Sequence, residues 1–146
     1  MGQIISVNVS TTTGTTKQQV DTIEVRPDHG IEGDAHARNW HRQISLLAQE
    51  SVDKMIAAGN PDLVPGSFAE NITTKGIALA ELPIGTRLIS GKVELEITQI
   101  GKKCHAKCAI HQQSGDCIMP KEGVFAKVLT PGELHPGDLI EVVRPT

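Results

Sequence analysis

The sequence predicts a mainly β fold: a closed or partly closed β-barrel with one or two short helices. Three observations carry that class. Period-two patterning is clearest at 93–97, where Val93, Leu95 and Ile97 share one face and Glu94 and Glu96 the other. The 14 Gly and 8 Pro of the 146 residues punctuate short apolar runs at close intervals. The hydrophobic fraction of 38% reaches the ordinary globular level once glycine is added, which excludes a disordered chain. Residues 1–146 have the length of one ordinary domain, and no linker divides them.

The elements follow in chain order. A strand is predicted at about 3–9, and the polar run STTTGTTK from Ser10 reads as a loop. After the apolar run Ile44–Leu47, a helix is predicted at about 49–58. There Val52, Met55 and Ile56 lie at helical spacing and Gly59 is a natural stop. A poorer helical turn falls near 76–82. TRLIS, the turn at Ser90–Lys92 and VELEI form a hairpin over roughly 86–99. GVFAKVL and DLIEVV repeat the strand signal towards the end. LPIGTRLI (82–89) and LHPGDLIEV (134–142) open alike, with Pro fixing φ and Gly permitting a turn before β-rich sequence. This reads as shared turn chemistry rather than an internal repeat.

Composition removes several function classes. With 14 Lys+Arg against 17 Asp+Glu the net charge is -3, so no overall basic field attracts nucleic acid. Two Phe, one Trp and no Tyr argue against a base-stacking platform or an aromatic cage for cations. No apolar run approaches a membrane span and no signal segment opens the chain, so the expectation is a cytoplasmic protein without a membrane partner. Three cysteines then read as reduced thiols. The G-x-S-x-G turn, the phosphate loop and the dinucleotide fingerprint are all missing.

Three clusters could carry chemistry. The first, at 30–43, packs Glu32, Asp34, His36, Arg38, Trp40, His41 and Arg42 without a helical or strand period. Gly30 and Gly33 let its backbone turn or approach a ligand, and Arg42 offers a planar fork for a carboxylate or phosphate. The plainer reading is a hydrated loop whose shape Asp34 and Arg42 hold. In the second, at 66–77, Glu70 and Asn71 interrupt a strand-like stretch. Asn71 suits either recognition of a heterocycle edge or bracing of a neighbouring loop. The third, at 100–117, holds every cysteine. Lys102, Lys103, His105 and Lys107 flank Cys104, which makes it the candidate reactive thiol, because nearby cations favour a thiolate. Cys104, Cys108, His111 and Cys117 form a compact alternative zinc set, and inert buried thiols are a further alternative, best suited to Cys117.

Together these pieces resemble the MOSC domain, named after the C-terminal domain of molybdenum cofactor sulfurases. The matching segments are GIEGDAHA with WHRQISLLAQES, GSFAENITTKGIALAELPIGTRLISG, VELEITQIGKKCH, GDCIMPKEGVFAKVL and HPGDLIEV. They run in order over about residues 4–143, like the small stand-alone bacterial members.

The resemblance implies a β-barrel that holds a molybdenum cofactor, Mo-molybdopterin, with tungsten as the alternative metal. The family's characteristic cysteine falls on Cys104, which the resemblance makes a sulfur carrier or a ligand to the metal. By residue type, His105 or His41 is the candidate for managing protons. The Gly-Asp loop falls on Gly33 and Asp34, and the Glu-Asn pair on Glu70 and Asn71. His36, His41, Arg42 and Lys102 complete the expected cofactor contacts. Implied partners are a cysteine desulfurase as sulfur donor and a molybdoenzyme as acceptor. The desulfurase and electron-transfer domains of larger members do not accompany these segments, which leaves open whether the chain catalyses anything alone. The readings beside this one are a non-catalytic zinc- or anion-binding module and a component of a molybdenum-dependent reductase.

Overall fold

A computed structural model of the chain describes residues 2–12, 16–59, 61–101 and 122–145. Seven strands close into a barrel: β1 (Gly2–Val9), β5 (Ile44–Ala48), β6 (Ile72–Lys75), β7 (Arg87–Ser90), β8 (Val93–Ile100), β9 (Val124–Thr130) and β11 (Leu139–Val143). Around the wall the order is β11-β7-β8-β9-β5-β6-β1, and β11 pairs back onto β1 to complete the circuit. β2 (Gln18–Val20) extends β1, while β3 (Ile23–Arg26), β4 (Gly30–Ile31) and β10 (Gly132–Leu134) form a separate small sheet. All wall pairs are antiparallel except β5 with β6. A parallel pair needs a crossover, and α1 (Gln49–Ala57) supplies it.

Period-two side chains fill the interior. Leu95 and Ile97 of β8 and Val124, Ala126 and Val128 of β9 lie in one buried cluster, joined by Ile4 and Val7 of β1, where a register shift between Ile4 and Ser6 breaks the alternation. β5 is buried at every residue because it is covered on both faces, which explains why its apolar residues do not alternate, with Ser45 the one polar member. Leu47 and Phe125 belong to a second cluster with Val52 and Met55 of α1 and Phe68. Each of these large side chains contributes about 1.5–3 kcal/mol through burial.

The predicted helix stands within a residue of its expected limits, and Gly59 at φ +113° follows its C-cap. The poorer turn is a short 3-10 segment at Leu79–Glu81. The two similar turns are built alike: Gly85 (φ +95°) donates to Ile97 O at 2.8 Å, and Gly137 (φ +94°) donates to Ile4 O at 2.7 Å. β2, β3, β4 and β10 are additions to the expected element list. All are four residues or shorter, too brief for the pattern to register. Among the described residues no helix is long and apolar enough to cross a membrane.

Candidate functional site

The 32–43 loop leaves β4 and is tied down at once. Asp34 N donates to Ile31 O, and Ala35 N donates to Ser10 O, so the loop lies against the chain that follows β1. Asp34 is the fastening. Its Oδ1 accepts from Ser10 N at 3.1 Å and Lys17 Nζ at 2.8 Å, and its Oδ2 accepts from His36 N at 3.1 Å. The Lys17 and Asp34 side chains are fully shielded from solvent. Burial opposes Asp34 ionisation, but the Lys17 ammonium against it and the Ser10 amide outweigh that cost and hold the carboxyl well below the usual range.

The far end of the loop is built from charge on an aromatic ring. Arg38 stacks 3.7 Å from the Trp40 centroid and Arg42 lies 4.6 Å from it, with Phe125 5.6 Å from Arg42. Trp40 Nε1 donates to His36 O at 2.9 Å, which joins the two ends. Arg42 Nε is buried without a hydrogen-bond partner among the described residues. His41 Nε2 meets Gln99 Oε1 at 2.8 Å, Thr98 Oγ1 donates to His41 O, and Gln99 Nε2 donates to Gly101 O. Gly101 N donates to Gly123 O at 2.6 Å, so the strands on either side of segment 102–121 are clamped beside His41 and Arg42. A polar cleft of about 440 Å³ opens along Trp40, His41, Gln43, Thr98 and Lys127.

Glu70 and Asn71 lie on the wall next to the Asp34 fastening. Lys17 N donates to Gly66 O, Asn8 N donates to Asn71 O, and Asn8 Nδ2 donates to Glu70 O. The Asn71 amide braces this region: its Oδ1 accepts from Ser45 N and Oγ, and its Nδ2 donates to Asn8 O. The preceding residue, Ala69, sits at φ +63°, a strained conformation that presents Glu70 inwards. Glu70 Oε2 accepts from Thr73 Oγ1 at 2.8 Å and Oε1 from Phe68 N at 3.2 Å. Burial pushes the Glu70 carboxyl up despite these bonds.

The raised Glu70 value has a measurable consequence. Its contribution is fully present below the ordinary carboxylate value and declines as pH rises towards the raised one, because the unfolded chain ionises first. Glu70→Gln cannot ionise. The urea midpoint of the variant is therefore expected to gain on wild type as pH rises above the ordinary carboxylate value. Parallel profiles would exclude the ionisation cost.

Asp34 and His36 thus come together around Lys17, with Glu70 and Asn71 adjoining. His41 and Arg42 form the other end of the same band, and Gly33 sits at φ +83° in the turn before Asp34. Lys102, Cys104 and His105 lie outside the described residues, as do Lys103, Lys107, Cys108, His111 and Cys117. Among the described residues no cluster of His, Cys, Asp and Glu could hold a metal ion. Sequence reading passed over Lys17, Asn8 and Gln99. Lys17 ends a Ser/Thr-rich loop, where a cation reads as solvated, and no local signal marks its partner 17 positions on. A second cleft, of about 430 Å³ between α1 and Leu79–Glu81, takes in none of the site residues.

A seven-stranded barrel with an ionisable loop layered against its wall defines the class. The family model of the MOSC domain matches residues 32–141, so the chain belongs to the MOSC family, a molybdenum-cofactor-related family. The structure is similar to that of YuaD from Bacillus subtilis, with a TM-score of 0.82 at 21% identity, covering 100% of this chain and 98% of that one. YiiM from Geobacillus stearothermophilus gives 0.75 at 21% identity, with 99% and 76% covered. YiiM from Escherichia coli gives 0.73 at 18%, with 100% and 71% covered. At these identities the likeness is one of fold. No curated protein sequence matches the chain.

Proposed function

We propose that the chain binds a molybdenum–pterin cofactor along the Asp34–Arg42 band and carries sulfur, or ligates the metal, through Cys104. The observation that supports this most is the buried Arg42 Nε, without a partner among the described residues and set beside Trp40 and Phe125. An orphaned guanidinium donor fits an anionic group such as a pterin's phosphate. The Trp40 ring already carries two guanidinium groups, so charge and hydrogen bonds rather than stacking would hold the ligand.

In the sequence Cys104 stands three residues after Gly101, whose carbonyl accepts from Gln99 Nε2. When bound, the cofactor would supply a soft metal centre able to take a thiolate or a sulfido ligand. Lys102 and His105 would favour the Cys104 thiolate. That thiolate attacks the outer sulfur of a desulfurase persulfide. A new S–S bond forms on Cys104, the donor's S–S bond breaks, and the donor cysteine leaves as thiolate. Onward delivery reverses these roles: a thiolate of the molybdoenzyme attacks the outer sulfur of the Cys104 persulfide, a new S–S bond forms there, and the Cys104 thiolate leaves. Asn71 braces the wall behind this band.

Cys104→Ser decides the proposal. The variant is expected to keep the wild-type fold, to form no persulfide adduct by mass spectrometry with a desulfurase and cysteine, and to retain at least tenfold less molybdenum. Wild-type persulfide and metal content in that variant would remove Cys104 from both roles.

A further inference from the structure

The Lys17 ammonium has three hydrogen atoms and no lone pair. It finds three partners: Asp34 Oδ1 at 2.8 Å, Ser10 Oγ at 3.1 Å and His36 Nδ1 at 3.1 Å. An ammonium can only donate, so the imidazole nitrogen facing it must hold its lone pair towards Lys17. The ring proton then sits on Nε2. Asp34 Oδ2, 3.6 Å from the same Nδ1, pulls the other way, since a carboxylate would attract a proton onto that nitrogen. The shorter contact and the filled valence of the ammonium decide for Lys17. Trp40 Nε1 holds the His36 carbonyl and Asp34 holds its amide, so the backbone of the residue is fixed at both ends. The His36 side chain is a quarter exposed, and Nε2 takes no partner among the described residues.

We infer that Lys17 is a positioning residue that locks His36 in the Nε2–H tautomer, so that its outer nitrogen donates a hydrogen bond to an acceptor oxygen of a bound anion. The buried pair beneath it is charge-balanced. The loop therefore offers the ligand a directed neutral donor here, with the cationic Arg38 and Arg42 further along it. This deepens the cofactor reading at one contact and rests on it only for the identity of the anion.

The test is long-range proton–nitrogen correlation on the full chain labelled with nitrogen-15 histidine, at neutral pH and without cofactor. The expected spectrum shows His36 with a protonated Nε2 and a bare Nδ1. In Lys17→Met the proton is expected to move to Nδ1, opposite Asp34. In Asp34→Asn the wild-type tautomer is expected to persist, because Lys17 still donates. A protonated Nδ1 in wild type, or an unmoved tautomer in Lys17→Met, overturns the inference. Should Lys17→Met fail to fold, wild type and Asp34→Asn still decide it. Inorganic phosphate as the anion probe is expected to shift the His36 Nε2–H signal, and no shift at saturating phosphate overturns the donor role. Failure of the cofactor reading shows instead in molybdenum content and Cys104 persulfide, which these spectra do not involve.

Discussion

Lys17→Met is expected to lower stability by about 3–5 kcal/mol at neutral pH, as breaking a buried ion pair from one side generally does. The methionine keeps most of the stem's volume, so the loss comes from charge rather than from a cavity. It leaves the Asp34 carboxylate with the Ser10 and His36 amides and no cation, in a place water does not reach. Such a loss is a large share of the 5–15 kcal/mol that holds a typical domain folded.

The pH dependence supplies the control. Asp34 is held below its ordinary value, so in wild type its contribution is present above the unfolded value of about 4 and fades as pH falls below it. In Lys17→Met the penalty comes from the ionised carboxylate, so it is expected to shrink as acid neutralises Asp34. Lys17→Met/Asp34→Asn is expected to regain part of the neutral-pH loss. Urea midpoints at neutral pH and about pH 4 check both statements. A loss of less than about 1 kcal/mol in the single variant would place the pair in solvent rather than in the protein.

Gly66→Ala is expected to cost about 3–4 kcal/mol by two independent routes. Gly66 has φ +90°, where an L side chain is strained by roughly 1–2 kcal/mol. A Cβ placed there would also lie 2.3 Å from Lys17 O and 3.0 Å from its carbonyl carbon. Both are backbone atoms, so no rotamer change relieves the collision. The two chains would have to part, which breaks the 2.8 Å bond from Lys17 N to Gly66 O. Faster hydrogen exchange at the Lys17 amide, together with the lower urea midpoint, is the expected signature. An unchanged midpoint would contradict the close approach.

The barrel strands were legible where alternation ran for several residues, as in β8, and β7 was legible through the tight turn that pairs it with β8. The helix was legible because its buried side chains keep helical spacing and a glycine ends it. The short strands of the small sheet were not, since two to four residues cannot establish a period. The loop rich in ionisable groups stood out by composition, but its internal division did not. Asp34 and His36 are joined by a lysine 17 and 19 positions away, and Arg42 by a phenylalanine on β9. Contacts of that kind come from the closing of the barrel, and local sequence carries no trace of them. Asn71 shows the same limit. Its two open readings were separable only once Ser45 and Asn8 were seen on its amide.

The pairing of β1 with β11 closes the wall with one of the most sequence-distant contacts in the barrel. Gly2 faces Ile140 and Gln3 faces Leu139, so the contact that closes the wall joins residues at nearly opposite ends of the sequence. Loop-closure entropy makes such contacts slow to form, and folds dominated by them take milliseconds to seconds. Until it forms, β1 and β11 each expose a free edge able to pair with another chain. The final seam is thus a kinetic risk during synthesis, and occupancy of the nascent edges by another copy would compete with completion of the barrel.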